Sequence, residues 1–463
     1  MSNPLAISPL DGRYYSKTRK VADYFSEFAF CKYRIKVELE YFYQLVQLNL
    51  PELQIPDSFR NLLPQLEAIV ETFDDTEFQK VKQHEKTTNH DVKAIEYYLQ
   101  DCFRELQLEK HITFIHFGLT SQDINNTAVS YSLKQYIRNV FCSELQEIIQ
   151  CFHEKSLDWK HYIMLSHTHG QPAVPTSLGK EIKVFHYRLT EQFQTLVEIK
   201  YFGKFGGASG NLNAHRCAYP NIDWIRFGRD YLSFLGLRRS AWTTQIDNYD
   251  NLSILFDVVK RIHVILLDFC KDVWLYISKH YLIQKIIPGE IGSSTMPHKV
   301  NPILFENAEG NLEVANCLLE YMSRKLPISR LQRDLTDSTV LRNLGVIFGH
   351  STVAFQNIIK GMERIKPNVD QLQNELQQNE IVISEGIQTV LRKYGYDQAY
   401  EKLKEFSRKH YSPTSKEIEE FIHSLPIEDS VRNELLLISI ISYIGYSSEI
   451  SDERLQSRSS PPV

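Results

Sequence analysis

The loop from residue 288 to residue 302 concentrates side chains that could do chemistry. It reads Pro288-Gly289-Glu290-Ile291-Gly292-Ser293-Ser294-Thr295-Met296-Pro297-His298-Lys299-Val300-Asn301-Pro302. Its two glycines and three prolines exclude a regular helix or strand, while its hydroxyl, ammonium and amide groups could stabilise developing charge. A plain surface connection is the alternative. A loop with its own glycine hinges is nevertheless a common means of closing a site and excluding water.

Three further polar clusters each contain histidine, and we expect each to lie just before a helix. Ser, Thr, Asn and Asp cap helix N-termini, so capping alone would explain these residue types. Alternatively, the free N–H groups and positive dipole ends gather around an anionic ligand. A metal site using His90-Asp91 and His167/His169 is a third interpretation, but further ligands do not appear at metal-binding spacing. The clusters are residues 87–91 (Thr-Thr-Asn-His-Asp), 116–121 (His-Phe-Gly-Leu-Thr-Ser) and 166–172 (Ser-His-Thr-His-Gly-Gln-Pro).

The last polar cluster, residues 330–342, favours a phosphate site. On a helix Ser338 and Arg342 stand four residues apart and share a face. Guanidinium groups bind phosphate oxygens through paired hydrogen bonds, so two arginines with a hydroxyl would suit a phosphate. The alternative is a solvated face that pairs with Asp334 and Asp337. Neither Gly-x-x-x-x-Gly-Lys nor Gly-x-Gly-x-x-Gly occurs, so a nucleotide would be held without a P-loop or Rossmann turn.

The elements that position these clusters are predicted to be helices. The 19 glycines and 17 prolines make up about 8% of 463 residues, against a usual figure of about 12%. Helices tolerate these two residues least. Apolar residues recur every three or four positions over 179–200 and 252–280, which predicts two amphipathic helices of a bundle. Residues 123–158 and 337–363 also predict long helices, and the lack of sustained alternation predicts few strands.

Apolar residues also occur outside these two stripes, at Val184, Leu252, Val264 and Tyr276. One helix face cannot accommodate both sets. The pattern therefore predicts that the helices bury a second side, most simply against other subunits.

Length, charge and cysteine content limit the classes of protein to which this chain can belong. A chain of 463 residues has room for about three domains, which we place at residues 1–118, 119–365 and 366–463. The formal net charge of −5 disfavours a dedicated nucleic-acid binder. Seven scattered cysteines without Cys-x-x-Cys disfavour a disulfide framework or structural zinc and fit a reducing compartment. With no signal peptide or membrane-length apolar run evident, we expect a cytoplasmic protein.

With these motifs in view, the chain resembles a known family. Residues 292–302 are similar to the signature loop of the fumarase/aspartase superfamily, and histidine before lysine resembles its adenylosuccinate lyase branch. The likeness runs from residue 8 to about 446, and its other motifs occur in the right order. They are Gly12-Arg13-Tyr14, Asn89-His90-Asp91, Thr120-Ser121, Thr168-His169-Gly170-Gln171-Pro172 and Arg333-Asp334-Leu335-Thr336-Asp337-Ser338.

The resemblance implies an all-α fold of three helical domains. The central domain would be a bundle of long helices that forms the core of a homotetramer, with active sites assembled from three subunits. The implied reaction is release of fumarate by β-elimination from adenylosuccinate to give AMP. The same site would convert the succinylated carboxamide ribotide (SAICAR) to AICAR. No metal or organic cofactor, nucleic acid or membrane is implied.

The resemblance also implies roles for individual residues. Ser293 would be the general base, His169 the general acid, and Glu306 the carboxylate that pairs with the acid histidine. Lys299 and Asn301 would stabilise the charge that builds up on the substrate carboxylate. Thr120 and Ser121 would hold the succinyl carboxylates. The remaining substrate contacts would be Asn89, His90, Asp91, Gln245, Ser294 and Asn307, and the phosphate would be held by Arg13, Tyr14, Arg333, Ser338 and Arg342.

Several alternatives remain beside this interpretation. Within the superfamily, an argininosuccinate lyase is disfavoured because its substrate has no phosphate for the arginines of residues 330–342. A metal-dependent phosphohydrolase and a non-catalytic helical scaffold are the alternatives from other classes. One departure from the family pattern is Tyr446 in the C-terminal domain, which stands where many relatives have a basic residue.

Overall fold

The structure is a computed structural model that describes residues 5–55, 62–287, 289, 295–296, 298–409 and 413–452. Its helices confirm the predicted all-α class. In chain order they are α1 (Tyr15–Phe25), α2 (Glu27–Val46), α3 (Leu62–Glu71), α4 (Asp75–Thr88), α5 (Asp91–Glu105), α6 (Ser121–Tyr136), α7 (Cys142–Asp158), α8 (Leu178–Glu198), α9 (Asn213–Ala218), α10 (Trp224–Phe234), α11 (Asp250–Ser278), α12 (Ile303–Lys325), α13 (Thr336–Leu341), α14 (Leu344–Glu363), α15 (Val369–Gln378), α16 (Ser384–Lys393), α17 (Ala399–Lys409), α18 (Ser415–Ser424), α19 (Asp429–Leu436) and α20 (Ser447–Asp452).

Short strands form three two-stranded sheets in the described part of the chain. The first is an antiparallel hairpin, the second a parallel pair of two-residue strands, and the third a small antiparallel pair. The strands are β1 (Ile163–Thr168) with β2 (Gln171–Ser177), β3 (Phe202–Gly203) with β4 (Arg238–Arg239), and β5 (Leu282–Gln284) with β6 (Ile365–Pro367).

The chain forms two compact units, each assembled from separate segments. Unit one contains residues 1–145, 192–264 and 310–355, and unit two contains 146–191, 265–309 and 356–463. Because these segments alternate along the chain, neither unit matches a single predicted domain, and the three-domain division stays a prediction.

The two helices with the clearest apolar period form as predicted. Helix α8 covers most of the predicted 179–200 and α11 most of 252–280. Their predicted stripes are buried, as shown by Ile182 and Leu189 on α8 and by Val259 and Leu266 on α11. Of the second set of apolar residues, Val184 and Val264 are exposed, whereas Leu252 is buried within the chain.

Within each unit the long helices pack side by side. In unit one, the Ser253 hydroxyl of α11 donates to Ser323 O of α12 at 2.9 Å. In unit two, the rings of Phe152 on α7 and Phe185 on α8 both pack against Phe269 on α11. These contacts are those of a helical bundle, which buries an apolar stripe from each of several helices.

One predicted long helix is interrupted. Residues 337–363 form α13 and α14, with Arg342 and Asn343 between them. The Asn343 side chain donates to Thr339 O and Val340 O, at 3.2 and 3.4 Å, and so satisfies carbonyls that the end of α13 leaves free. The predicted uninterrupted helix is therefore wrong at this point. Residues 123–158 do remain helical, with a π-helical turn at 137–141 between α6 and α7.

No helix among the described residues is long and apolar enough to cross a membrane. Likewise, no three His, Cys, Asp or Glu side chains in the described ranges group closely enough to hold a metal ion.

Candidate active site

The cluster at residues 87–91 lies at a helix N-terminus, as predicted. Asn89 ends α4 with a left-handed φ of 50°, and His90 is the N-cap of α5. The His90 ring accepts a hydrogen bond from the Lys93 N–H at Nδ1, 3.2 Å away, while half of the side chain remains exposed. Capping therefore explains part of this cluster, and the exposed ring face leaves His90 able to contact a ligand.

The next residue, Asp91, lies between two arginines. Its Oδ2 atom accepts from Arg34 Nη2 at 2.8 Å and from Arg342 Nη2 at 3.3 Å. Burial alone would raise the pKa of Asp91, but Arg34, the Val92 N–H and Arg342 outweigh burial and hold the pKa below its usual value. Asp91 is therefore a fixed carboxylate anion at neutral pH.

A small cavity of about 40 Å³ lies beside this carboxylate. Ser338 and Arg342 both line it, which confirms that they share a face although Arg342 lies one residue beyond α13. Gln122 joins them from α6 and donates to the Ser338 hydroxyl at 3.5 Å. The structure thus brings together Asp91, Ser338 and Arg342 of the predicted site.

The Thr120-Ser121 motif begins α6, again as predicted. A buried ion pair fixes this helix end, because the Asp123 carboxylate accepts from Thr120 N at 2.8 Å and pairs with Lys204 Nζ at 2.9 Å. The same carboxylate accepts from Gly206 N and Gly207 N. Burial lowers the pKa of Lys204, and Asp123 opposes that shift. Both side chains are fully enclosed, with exposed fractions of 2% for Asp123 and 0% for Lys204.

Gln245 and Arg333 also meet in unit one. Arg333 Nη1 donates to Gln245 Oε1 at 3.1 Å, and Gln245 Nε2 donates to Ala208 O at 3.0 Å. The segment that carries Gln245 is tied to α13 by a buried hydroxyl, since Tyr249 OH donates to Asp337 Oδ2 at 2.6 Å. Gln245 and the residues after Arg333 are therefore held by one polar network.

His169 does not precede a helix, which corrects the prediction for residues 166–172. Thr168 pairs with Gln171 across a two-residue hairpin turn, and His169 and Gly170 have φ of 53° and 71°. Two positive φ values are what a type I′ turn requires. The hairpin places the His169 side chain at an exposed tip.

His167 points elsewhere in the same hairpin. Its Nε2 atom lies 2.9 Å from Lys279 Nζ and 3.4 Å from Glu375 Oε1. Lys279 and Glu375 are themselves 3.8 Å apart. An imidazole engaged by a lysine and a carboxylate is occupied by structural contacts, so the alternative interpretation of His167 and His169 as a metal pair gains no support from this geometry.

The end of the signature loop leads directly into α12. Lys299 is exposed, and Gln284 Nε2 donates to Val300 O at 2.8 Å. Glu306, in the first turn, accepts from Trp274 Nε1 at 3.1 Å, and no hydrogen bond joins it to His169 among the described residues. Asn307 and Asn357 are hydrogen-bonded through their amides. Ser293 and Ser294, the predicted base and its neighbour, lie outside the described residues.

The N-terminal motif lies at the start of α1. Tyr14 is its N-cap residue and is half-buried, whereas Arg13 is exposed. No contact joins Arg13 to the cavity beside Asp91 within the described ranges. Its predicted part in phosphate binding stays a prediction.

Sequence reasoning missed three residues that hold this site together. Arg34 lies in α2, Asp123 lies in α6, and Lys204 directly follows β3; all three are buried. A buried charge is rare unless it is paired, and Lys204 between Gly203 and Phe205 was a signal of this kind. Asp123 and Arg34 stand among polar or charged neighbours, so no such signal marks them in the sequence.

Comparison with known proteins gives a consistent result. The family model described as "Lyase" matches residues 12–315, and that described as "Adenylosuccinate lyase C-terminal" matches residues 329–444. An adenylosuccinate lyase of Dictyostelium discoideum is 48% identical over 96% of this chain and 97% of its own. One from Escherichia coli K12 is 41% identical over 98% of this chain and 99% of its own.

Solved structures agree at the level of the fold. A 3-carboxy-cis,cis-muconate lactonizing enzyme from Pseudomonas putida superposes with a TM-score of 0.74 at 19% identity, covering 93% of this chain and 95% of its own. A fumarate lyase from Mesorhizobium sp. BNC1 gives 0.73 at 15% identity, covering 94% and 96%. With two family models and near-complete relatives above 40% identity, the chain belongs to the adenylosuccinate lyase family.

Proposed function

We propose that this chain releases fumarate from adenylosuccinate to give AMP, and from SAICAR to give AICAR, by β-elimination across a C–N bond. The observation that carries the proposal is the identity of 41–48% to adenylosuccinate lyases over almost the whole chain. Purine nucleotide biosynthesis in the cytoplasm is the setting that this reaction implies.

The reaction needs groups that stabilise the negative charge developing on the substrate. Removing a proton from the carbon beside a carboxylate loads extra charge onto that carboxylate, and fixed donors lower the barrier. Lys299 and Asn301 stand just ahead of the 23-residue helix α12, whose N-terminus presents free N–H groups and a positive dipole end. An ammonium, an amide and a helix N-terminus together favour the carbanion-like transition state.

Proton transfer would be divided between two residues. Ser293 takes the proton from carbon, a role that requires donors to stabilise its alkoxide. His169 protonates the departing purine amine, because an imidazole titrates near neutral pH and can act as an acid there. The exposed hairpin tip leaves the His169 ring free to enter a site formed with other segments. Glu306 would orient that ring and raise its pKa.

Substrate anchoring would come mainly from unit one. Thr120 and Ser121 at the N-terminus of α6 bind the succinyl carboxylates, a position that favours anions. Ser338 and Arg342 bind the phosphate beside the cavity next to Asp91. Other contacts are assigned by resemblance to Arg13, Tyr14, Asn89, His90, Gln245, Ser294, Asn307 and Arg333.

A homotetramer with shared sites completes the proposal. The exposed Val184 and Val264 on the long helices would be buried against other subunits. If one site draws residues from several subunits, two inactive variants with lesions in different motifs restore activity on mixing. We expect this of His90→Ala with Ser293→Ala after dissociation and reassociation. A hybrid that forms by mass measurement but is no more active than its parents would contradict shared sites.

The decisive experiment adds adenylosuccinate to the purified protein and identifies fumarate and AMP among the products. His169→Ala should lower turnover by orders of magnitude with folding unchanged, because truncating an exposed side chain opens no core cavity. His423→Ala, an exposed histidine of α18, is the matched control and should match wild type. Absence of fumarate from the wild-type reaction overturns the proposal. Activity that survives chelation disposes of the metal-dependent phosphohydrolase alternative.

A further inference from the structure

The guanidinium of Arg342 is engaged by two carboxylates of the chain itself. Its Nη1 donates to Glu27 Oε2 at 2.9 Å and its Nη2 to Asp91 Oδ2 at 3.3 Å. Glu27 is the first residue of α2 and belongs to none of the motifs discussed above. Two anions thus occupy the group that would bind the substrate phosphate under the proposed function.

A phosphate that bound Arg342 while both carboxylates stayed in place would stand directly beside two anions. A dianionic phosphate that binds Arg342 must therefore replace one of the two carboxylates, since like charges so close together repel strongly.

Asp91 is the carboxylate that stays. Arg34 holds its Oδ2 atom at 2.8 Å, and the Val92 N–H donates to its Oδ1 atom at 2.9 Å. Arg34 is itself fixed, because its Nε donates to Asn125 Oδ1 at 2.8 Å and only 10% of its side chain is exposed. Moving Asp91 would leave a buried guanidinium without its partner, which is costly.

Glu27 is the carboxylate that can leave. Its side chain is more exposed than that of Asp91, 37% against 24%. A second cation already stands beside it, since Lys82 Nζ lies 3.6 Å from Glu27 Oε1. Turning from Arg342 toward Lys82 therefore keeps the Glu27 charge compensated at the surface.

We propose that Glu27 competes with the substrate's phosphate for Arg342 and thereby sets the affinity for the nucleotide. This inference rests on the proposed phosphate role of Arg342. Glu27 acts through Arg342 and is a positioning residue. Its competition weakens the binding of substrate and product alike, and it acts only on ligands that carry the phosphate.

The test compares AMP with adenosine, which lacks the phosphate. By calorimetry on the full-length protein, Glu27→Gln should bind AMP about two- to fivefold more tightly than wild type, the range expected from losing an exposed ion pair. Adenosine should bind both proteins equally. The control is Glu67→Gln, which also removes an exposed carboxylate that pairs with a lysine in unit one and should leave AMP affinity unchanged.

Three results would overturn the inference. The AMP affinity of Glu27→Gln could equal that of wild type, its adenosine affinity could increase as much as its AMP affinity, or Glu67→Gln could bind AMP as tightly as Glu27→Gln. Glu27→Asp, which keeps the charge but shortens its reach, should tighten AMP less than Glu27→Gln, so a folding defect in one variant leaves the comparison intact. Failure of wild type to bind AMP would overturn the phosphate role of Arg342 together with this inference. Absence of fumarate release, measured separately, overturns only the proposed reaction.

Discussion

Replacing Asp123 by asparagine tests the buried ion pair that fixes the start of α6. The change keeps the shape of the side chain but removes its charge, and the Lys204 ammonium is then buried without compensation. Whichever carboxylate oxygen the asparagine NH2 group replaces, it would also face a backbone N–H donor. One carboxylate oxygen accepts from Gly206 N and the other from Thr120 N.

The magnitude follows from these contacts. Removing one partner of a buried ion pair costs about 3–5 kcal/mol. Lys204 keeps one acceptor, Gly207 O at 2.7 Å, which reduces the loss, while an unsatisfied buried N–H adds about 1–3 kcal/mol. We therefore expect Asp123→Asn to lower the free energy of unfolding by about 4 kcal/mol. Because the same carboxylate positions Thr120, the KM for adenylosuccinate should rise as well.

Urea unfolding followed by circular dichroism measures the loss against a matched control. Asp230→Asn removes a carboxylate that lies 3.7 Å from Arg226 but is 68% exposed, so its cost should stay below about 1 kcal/mol. Adding Lys204→Met to Asp123→Asn removes the uncompensated charge and should recover part of the stability. Equal losses in the two asparagine variants, or no recovery in the double variant, would refute the reasoning.

Three further outcomes can be checked independently. Burial would lower the pKa of His116, but Glu38, 2.5 Å away, raises it overall. The stability contributed by this pair is complete below a pH of about 6.5 and is lost as pH rises through the raised pKa of His116. Glu38→Gln should therefore lower the free energy of unfolding more at pH 6 than at pH 9 in urea titrations. Burial lowers the pKa of His263 to about 4, so burying its neutral ring requires no deprotonation above a pH of about 6.5 and the fold loses stability as pH falls below that value. In wild type this histidine should account for about 2 kcal/mol of the fall in unfolding free energy from pH 6.5 to pH 5, and His263→Gln should remove that contribution. Arg342→Ala should raise the KM for adenylosuccinate about 30- to 150-fold, for a loss of about 2–3 kcal/mol, and leave the affinity of a phosphate-free analogue unchanged; an equal loss with the analogue would contradict the phosphate role.

Local signals in the sequence predicted the helices and several of their ends. The apolar stripes of α8 and α11 repeat every three to four residues, which is a property of the helix itself. Thr120 is an N-cap of a preferred residue type. At residues 87–91 a helix does begin as predicted, although its N-cap is His90 and not a Thr, Asn or Asp of that cluster. Such signals need no knowledge of the rest of the chain.

The hairpin that carries His169 shows how a local pattern can be misread. Its polar residues suit a helix cap as well as a turn, and the cap was predicted. The structure forms the turn because His169 and Gly170 adopt positive φ, and a glycine in second place makes that conformation accessible. The His169-Gly170 pair was the available signal for a hairpin.

Resemblance to a family predicted the reaction and the site residues, whereas the partners of the buried charged residues are visible only in the tertiary structure. Asp123 forms an ion pair with Lys204 on another segment, Arg34 forms one with Asp91, and Arg342 lies between Asp91 and Glu27. No local pattern encodes these choices, because the energy of an ion pair depends on distance and on burial, and both are set by segments distant in sequence. The sequence by itself determined the long helices α8 and α11, the apolar faces they bury and several helix N-termini. Folding alone decided which carboxylate holds each cation.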